Sequence, residues 1–199
     1  MNFVFDFGNV LVRWEPKAVF LPHFGYDEDR FDFFWEHICG MDFRNRIDAG
    51  ERQSDVILEY QKRFPEYADH IAMYQTHWEE ALPGEIPGMY DLVKQLKTDP
   101  KNHIYGITNW SMETFPGARR RFDVLQLIDD YVVSGAENVV KPNPEIFQIF
   151  LDRYRLEAAE CVFIDDNDAN VASARAIGFN GIVFHGVDDL RKELNRLTM

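Results

Sequence analysis

The chain of 199 residues is poor in cysteine and contains no long apolar run. Its two cysteines, Cys39 and Cys161, lie far apart and form neither a C-x-x-C pair nor a disulfide framework, which favours a reducing compartment. No stretch approaches the roughly 20 apolar residues that a membrane-spanning helix needs, and the N-terminus lacks a basic region followed by an apolar run. We therefore expect a soluble protein of the cytoplasm that has no membrane partner.

Positive charge is also scarce. The chain carries 21 Lys and Arg against 34 Asp and Glu, a formal net charge of −13 that would repel a polyphosphate backbone. The one cluster of arginines, at residues 119–121, falls in a helical stretch and is typical of a solvated helix face. We do not expect nucleic acid as a partner.

Metal-ligand spacing is absent among the six histidines, which are scattered along the chain. Apolar and aromatic residues, by contrast, make up 46% of the sequence, enough for a proper hydrophobic core. The length is compatible with one core domain and an insert.

From residue 88 onward, short apolar runs alternate with helical patterns. A first buried strand begins at residue 3 in FVFDFGNVLVR, and further strands are predicted over residues 103–109, 131–135, 161–167 and 181–185. Helices are predicted over residues 87–97, 143–154, 169–177 and 187–197. Strands separated by helices need crossover connections, which predicts an α/β fold: a three-layer, Rossmann-like parallel sheet with helices on both faces.

Residues 14–86, which we call the insert, have a different pattern. They are rich in Phe, Trp, Tyr, Glu and Arg, with helix-like stretches at about 27–38, 52–64 and 66–81 and no convincing strand. The aromatic stretch FDFFWEH is expected to form the core of the insert. We therefore predict a core domain of residues 1–13 and 87–199, interrupted by a helical domain of residues 14–86.

Polar side chains collect where the predicted strands end. Since ligands bind outside the carboxyl ends of strands in an open parallel sheet, these residues are candidates for a functional site. They are Asp6, Thr108 with Asn109, Lys141 just after the third strand, and Asp165 with Asp166. Each alone is an ordinary turn or cap residue, as we expect for Asn143, but their recurrence at four strand ends is unusual.

This order of motifs, with D-x-x-x-V, T-N, K-P-x-P-x-x-F and a strand ending in D-D-N, resembles the haloacid dehalogenase-like hydrolases. The resemblance covers the whole chain, and the insert looks like a helical cap of that family. Within the family, the chain is most similar to small bacterial sugar-1-phosphate phosphatases, which also open with D-x-G-N-V. The resemblance implies a small phosphorylated metabolite as the substrate.

The resemblance also implies a role for each residue at the strand ends. Asp6 would be the nucleophile that forms an aspartyl phosphate. The magnesium ion would be held by Asp6, the backbone carbonyl of Gly8 and Asp166.

The remaining motif residues would surround the phosphate or support the site. Lys141 would neutralise charge on Asp6 and on the phosphate, whose oxygens Thr108 and Asn109 would also contact. Asp165 and Asn170 would support these groups from behind, Asp165 by orienting Lys141 or Thr108.

One expected residue is missing. Most phosphatases of this family carry a second aspartate two residues after the nucleophile, as general acid, whereas this chain has Gly8. An anomeric or acyl phosphate, whose leaving group needs less protonation, would explain the loss. A group from the insert or a water near Asn9 would also explain it; the insert candidates are Asp42, Arg44, Arg46, Asp48 and Glu51.

A third explanation is a different reaction, because the metal-independent 2-haloacid dehalogenases of the family lack this acid too. Asp166 argues against that reaction, since two adjacent acids beside Asp6 are a liability unless a cation lies between them. A catalytically weak phosphosugar-binding module is the other alternative. For substrate contacts in the insert, we name Trp14, Phe43, Arg44 and Arg46 as candidates.

Overall fold

The computed structural model describes residues 1–197 and contains one parallel sheet. Its strands are β1 (Asn2–Phe5), β2 (His103–Thr108), β3 (Asp130–Val133), β4 (Cys161–Asp165) and β5 (Asn180–Val183). Their spatial order is β3-β2-β1-β4-β5, so β1 lies in the centre. In register, Phe3 pairs with Ile104 of β2 and with Val162 of β4. The predicted parallel α/β sheet is confirmed.

Within residues 1–197, twelve α-helices connect or follow the strands of the sheet. Those of the insert are α1 (Pro16–Phe20), α2 (Glu28–Phe33), α3 (Met41–Asp48), α4 (Gln53–Arg63) and α5 (Ala68–Thr76). Those that follow are α6 (Met89–Leu96), α7 (Phe115–Arg121), α8 (Asp123–Gln126), α9 (Ser134–Glu137), α10 (Pro144–Tyr154), α11 (Asp168–Ala176) and α12 (Val187–Leu197). None of the helices within residues 1–197 combines the length and apolar character needed to cross a lipid bilayer.

Two helices on one side of the sheet start where the sequence places a capping residue. The Asn143 side chain accepts a hydrogen bond from the Glu145 amide at 3.0 Å, and Pro144 occupies the first turn of α10. Asn167 caps α11 in the same way through the Ala169 amide, at 2.8 Å. Each cap fixes the start of a helix that directly follows a segment of the candidate site.

Alternating side chains of the strands fill two apolar clusters, one on each face of the sheet. Val4, Ile107 and Phe163 pack against α10 and α11 on one face. Phe3 and Phe5 belong to the other cluster, which continues without interruption into the insert. Full burial of such a side chain stabilises the fold by about 1.5–3 kcal/mol, so the central strand is anchored from both faces.

The aromatic stretch of the insert contributes to its core, as expected. Phe31 and Phe34 are buried, and Phe34 lies 5.2 Å from the Phe24 ring, centroid to centroid. Residues 14–86 contain no strand, only an isolated bridge between Val12 and Glu85 at the end of the insert.

The first strand ends at Phe5, directly before Asp6, and Asn9 adopts a left-handed conformation with φ 55° in the turn that follows. One local detail differs from expectation. From the sequence, the segment that starts at Met41 was predicted only to be polar, with no helix assigned to it. In the structure it forms the helix α3. Its apolar face consists of Phe43 and Ile47 alone, too few positions to predict a helix from periodicity.

Candidate active site

Asp6 lies at the carboxyl edge of the sheet, directly after the central strand. Its backbone amide donates to the Ile164 carbonyl at 2.8 Å, so the residue is held beside β4. The side chain is 12% exposed, which leaves it largely dehydrated but accessible from one side. A carboxylate in this position can approach a ligand at the sheet edge without a rearrangement of the backbone.

Lys141 connects the acids of two strands. Its ammonium group lies 2.8 Å from Asp6 Oδ1 and 2.6 Å from Asp165 Oδ2, and it donates to the Ile107 carbonyl at 2.9 Å. These three partners match the three donors of an ammonium group, and the residue is 3% exposed. Asp6 and Asp165 raise the pKa of Lys141 although burial lowers it, so Lys141 is a fixed positive charge.

Asn109 positions the backbone of Lys141. Its Nδ2 donates to the Lys141 carbonyl at 3.0 Å, while its Oδ1 accepts from the Lys141 amide at 2.8 Å. This pairing ties the end of β2 to the loop that carries the lysine. The neighbouring Thr108, the last residue of β2, is buried, with 1% of its surface exposed.

Asp165 is fully buried, and neighbouring donors occupy both of its oxygens. Oδ2 accepts from Lys141, and Asn170 Nδ2 approaches Oδ1 and Oδ2 at 3.1 and 3.0 Å. The Asn167 amide donates to Oδ1 at 2.8 Å. Because its lone pairs are engaged, Asp165 supports the lysine and has little capacity left to bind a cation.

The cluster of three acids fits a divalent cation. Carboxylate oxygens of Asp6, Asp165 and Asp166 lie within 4.8 Å of one another. Burial and Asp165 raise the pKa of Asp6 to about 7, although Lys141 lowers it, and burial and Asp165 also raise the pKa of Asp166. Such repulsion between like charges is relieved by a cation, and the carboxylate oxygens of Asp6 and Asp166 are the hard ligands that Mg²⁺ prefers.

The acids open onto a cavity of about 240 Å³ between the sheet edge and the insert. Its floor includes Asp6, Gly8, Asn109 and Asp166. The insert supplies an aromatic and apolar wall: Trp14, Met41, Ile47, Tyr74, Trp78 and Leu82. Polar residues of the insert also reach the cavity: Arg44, Asn45, Asp48 and Gln53.

The insert residues predicted to contact substrate separate into two groups. Trp14 and Arg44 line the cavity. Phe43 is instead fully buried between Tyr60 and Tyr74, so its prediction was wrong. The prediction for Arg46 was also wrong, because Arg46 forms ion pairs with Glu51 and Glu59 on the insert surface and does not line the cavity.

The sequence reading missed the aromatic side chains that complete the wall. Trp78 lies 5.9 Å from Trp14 and 5.4 Å from Trp110, centroid to centroid. Trp110 directly follows the Thr108-Asn109 pair at the end of β2, and that position was a usable signal. For Trp78 there was no local signal, since it lies 64 residues along the chain from Trp14.

The family model of haloacid dehalogenase-like hydrolases matches residues 1–178, and the chain therefore belongs to this family. Among curated relatives, flavin mononucleotide hydrolase 1 of Arabidopsis thaliana is 39% identical over 57 residues, 29% of this chain and 23% of the relative. The sesquiterpene phosphatase astK of Aspergillus oryzae is 31% identical over 102 residues, 51% of this chain and 50% of the relative. The aligned parts span less than a quarter of the first three curated relatives.

Solved structures share the fold over nearly the whole chain. A family enzyme of Bacteroides thetaiotaomicron in complex with magnesium and inorganic phosphate aligns with a TM-score of 0.68 at 18% identity, covering 93% of this chain and 94% of that one. An L-2-haloacid dehalogenase of Xanthobacter autotrophicus aligns with a TM-score of 0.67 at 14% identity, covering 98% and 82%. The fold is thus common to phosphate-binding and dehalogenating members, and the reaction has to be argued from the site.

Proposed function

We propose that the protein is a Mg²⁺-dependent phosphatase of small phosphate monoesters that works through an aspartyl-phosphate intermediate on Asp6. The observation that carries the proposal is the arrangement of charges at the sheet edge. Asp6 faces the cavity with Lys141 behind it and Asp166 beside it. A nucleophile, a fixed cation and a second hard ligand are the parts that phosphoryl transfer requires.

In the proposed reaction, the free carboxylate oxygen of Asp6 attacks phosphorus and the bond to the leaving oxygen breaks. Lys141 holds the other Asp6 oxygen and lowers the cost of placing a phosphate dianion beside it. Asp165 and Asn109 keep Lys141 in position through its ammonium group and its backbone. Water then hydrolyses the acyl phosphate and returns Asp6 to its starting state.

Magnesium would be held by Asp6, Asp166 and the Gly8 carbonyl. When bound, the ion would neutralise the charge shared by the carboxylates and the phosphate. The fit rests on the two acids whose oxygens remain available once Asp165 is engaged by Lys141, Asn167 and Asn170.

For the substrate, we propose a small ester, with a sugar phosphate such as glucose 1-phosphate as the first candidate. A cavity of about 240 Å³ suits a small organic group. Its tryptophans offer flat apolar surfaces, and the polar side chains of Arg44, Asn45 and Asp48 offer hydrogen-bonding groups. Because the aromatic part of the wall also suits an aryl group, aryl phosphates belong in any substrate panel.

The test is phosphate release from glucose 1-phosphate, glucose 6-phosphate and 4-nitrophenyl phosphate, each with Mg²⁺ and with EDTA. We expect turnover only with the metal. Asp6→Asn keeps the shape of the side chain but removes the nucleophile, and should lower turnover by at least about 10⁴-fold. Asp29→Asn, on an exposed residue of α2, is the matched control and should leave turnover unchanged.

Because Gly8 replaces the expected general acid, two other functions have to be tested, and the same protein preparations serve for both. Chloride release from a 2-haloacid without metal would assign the protein to the dehalogenases. Tight Mg²⁺-dependent binding of inorganic phosphate with no turnover of any ester would assign it to a binding module. Full activity in Asp6→Asn, towards a phosphate ester or a 2-haloacid, would defeat the assignment of Asp6 as the nucleophile.

A further inference from the structure

The insert places one acid on the wall of the cavity. Asp48 is the last residue of α3, and it lines the same cavity as Asp6, Gly8 and Asp166. The other acids considered near α3 do not reach it. Asp42 is exposed and accepts a hydrogen bond from the Tyr60 hydroxyl at 2.5 Å, and Glu51 is exposed and paired with Arg46.

The Asp48 carboxylate has no hydrogen bond or ion pair with any residue among 1–197. Arg44, one helical turn earlier, does not pair with it, and one terminal nitrogen of its guanidinium group is engaged elsewhere. That group donates to the Trp35 and Cys39 carbonyls at 3.1 and 2.6 Å and lies 4.9 Å from the Trp35 ring. The carboxyl group of Asp48 is therefore available to a molecule in the cavity.

The end of α3 is fastened to the core domain. The Ser134 hydroxyl, just after β3, donates to the Asp48 backbone carbonyl at 2.5 Å. Two residues later, Gly50 has φ +94°, and a Cβ there would lie 2.5 Å from the Gly135 carbonyl oxygen. Only glycine allows so close an approach, so Asp48 is held against the core and its distance from the sheet edge is fixed.

The position of the missing acid is open space. A Cβ built on Gly8 would meet no heavy atom within 4 Å, so no side chain fills the place of the missing acid. A group that protonates the leaving oxygen can therefore be supplied from the insert. Asp48 is the acid that the insert presents there.

We propose that Asp48 is the general acid of this enzyme, replacing the one absent at Gly8. In the first step, the Asp48 proton passes to the leaving oxygen as its bond to phosphorus breaks and the bond from Asp6 to phosphorus forms. In the second step, the Asp48 carboxylate takes a proton from the water that attacks the acyl phosphate. Alcohol and hydrogen phosphate leave, and both acids return to their starting states.

The surroundings of Asp48 agree with this role. Burial raises the pKa of Asp48 to about 7, although Arg44 and Lys141 lower it. The other titratable group that interacts with Asp48 is Tyr74 of α5, whose own pKa is raised by burial. An acid with a pKa near the working pH can both donate and recover a proton.

The inference rests on the proposed phosphatase activity and is tested by comparing two leaving groups. Phenyl phosphate has a poor leaving group that needs a proton, whereas 4-nitrophenyl phosphate has a good one that needs less. Asp48→Asn should lower turnover of phenyl phosphate by about 10²-fold or more, and turnover of 4-nitrophenyl phosphate by less than about 10-fold. Asp42→Asn, on the exposed face of the same helix, should change neither rate.

A second variant guards against a folding defect. Asp48→Glu retains an acid and should keep the ratio of the two rates closer to the wild-type ratio than Asp48→Asn does. Equal losses on both esters in Asp48→Asn, or no loss on either, would overturn the proposal. Absence of wild-type activity, or retained activity in Asp6→Asn, would instead defeat the proposed function, so the two failures are distinguishable.

Discussion

The two regions that meet at the cavity hold their side chains in different ways. At the sheet edge, Lys141, Asp165 and Asn170 form a buried network in which each polar group has a partner. On the insert side, aromatic and apolar side chains line the cavity together with polar ones, and within residues 1–197 the Asp48 carboxylate has no hydrogen-bond or ion-pair partner. The first region is built to hold charges in fixed positions, and the second leaves groups free for an incoming molecule.

This contrast predicts that a broken charge pair costs far more in the core network than on the insert. Lys141→Met leaves Asp6 and Asp165 as unpaired buried acids, and should lower the free energy of unfolding by about 3–5 kcal/mol. Urea denaturation at pH 7 measures the change. Lys17→Met is the control, because Lys17 pairs with Glu28 on the insert surface and its loss should have little measurable effect. Equal effects of the two variants would contradict the comparison.

Asp48, the acid of the insert that lines the cavity, should make stability depend on pH. Because the pKa of Asp48 is raised to about 7 in the folded state, its favourable contribution is complete below the unfolded pKa, near 4, and is lost as pH rises through 7. An asparagine side chain does not titrate, so its contribution to stability does not change with pH. Asp48→Asn should therefore gain about 2–4 kcal/mol relative to wild type between pH 4 and pH 8.

Thermal or urea unfolding across this pH range measures the gain without any substrate. Asp42→Asn provides the comparison, since its carboxylate lies exposed on the same helix. A constant difference between Asp48→Asn and wild type across the range would show that Asp48 is ordinarily solvated.

The aromatic wall should affect substrate binding more than chemistry. Trp14→Ala removes a ring that is 5.9 Å from Trp78 and borders the cavity. We expect KM for an aryl phosphate to rise by about 10-fold with little change in kcat, because stacking is similar in the ground and transition states. Inhibition by inorganic phosphate should stay unchanged.

Phe33→Ala tests whether any aromatic residue of the insert has this effect. Phe33 is 50% exposed and lies outside the cavity, so the KM of the Phe33→Ala variant should match that of wild type. A fall in kcat in Trp14→Ala, without a change in KM, would mean that the wall acts on the reacting groups.

The core site could be predicted far better than the insert. Asp6 and Asn109 directly follow strands, Asp165 ends one, and Lys141 lies in the loop after β3 and α9; parallel strands bring their carboxyl ends to one edge whatever the detailed packing. The insert offers no such rule. Its helices are short, and a helix such as α3 presents different residues to the cavity depending on which side chains it buries.

Helix α3 illustrates this dependence. Phe43 and Ile47 pack into the interior, which directs Arg44 and Asp48, one turn apart, to the cavity. Sequence reasoning named five charged residues of this stretch, left out Asn45, and could not choose between the five. The choice follows from the burial of two apolar side chains and from the contact between Asp48 and Ser134.

By itself, the sequence determined the α/β alternation, the insert between the first strand and the rest, and the set of polar residues at the strand ends. These follow from local periodicity and from the direction of parallel strands. Tertiary structure alone decided that Lys141, Asn167 and Asn170 occupy both oxygens of Asp165, and that Asp48 lines the same cavity as Asp6, Gly8 and Asp166. The physical reason is that a side chain's partners depend on groups far away in the chain, which only packing brings within hydrogen-bond distance.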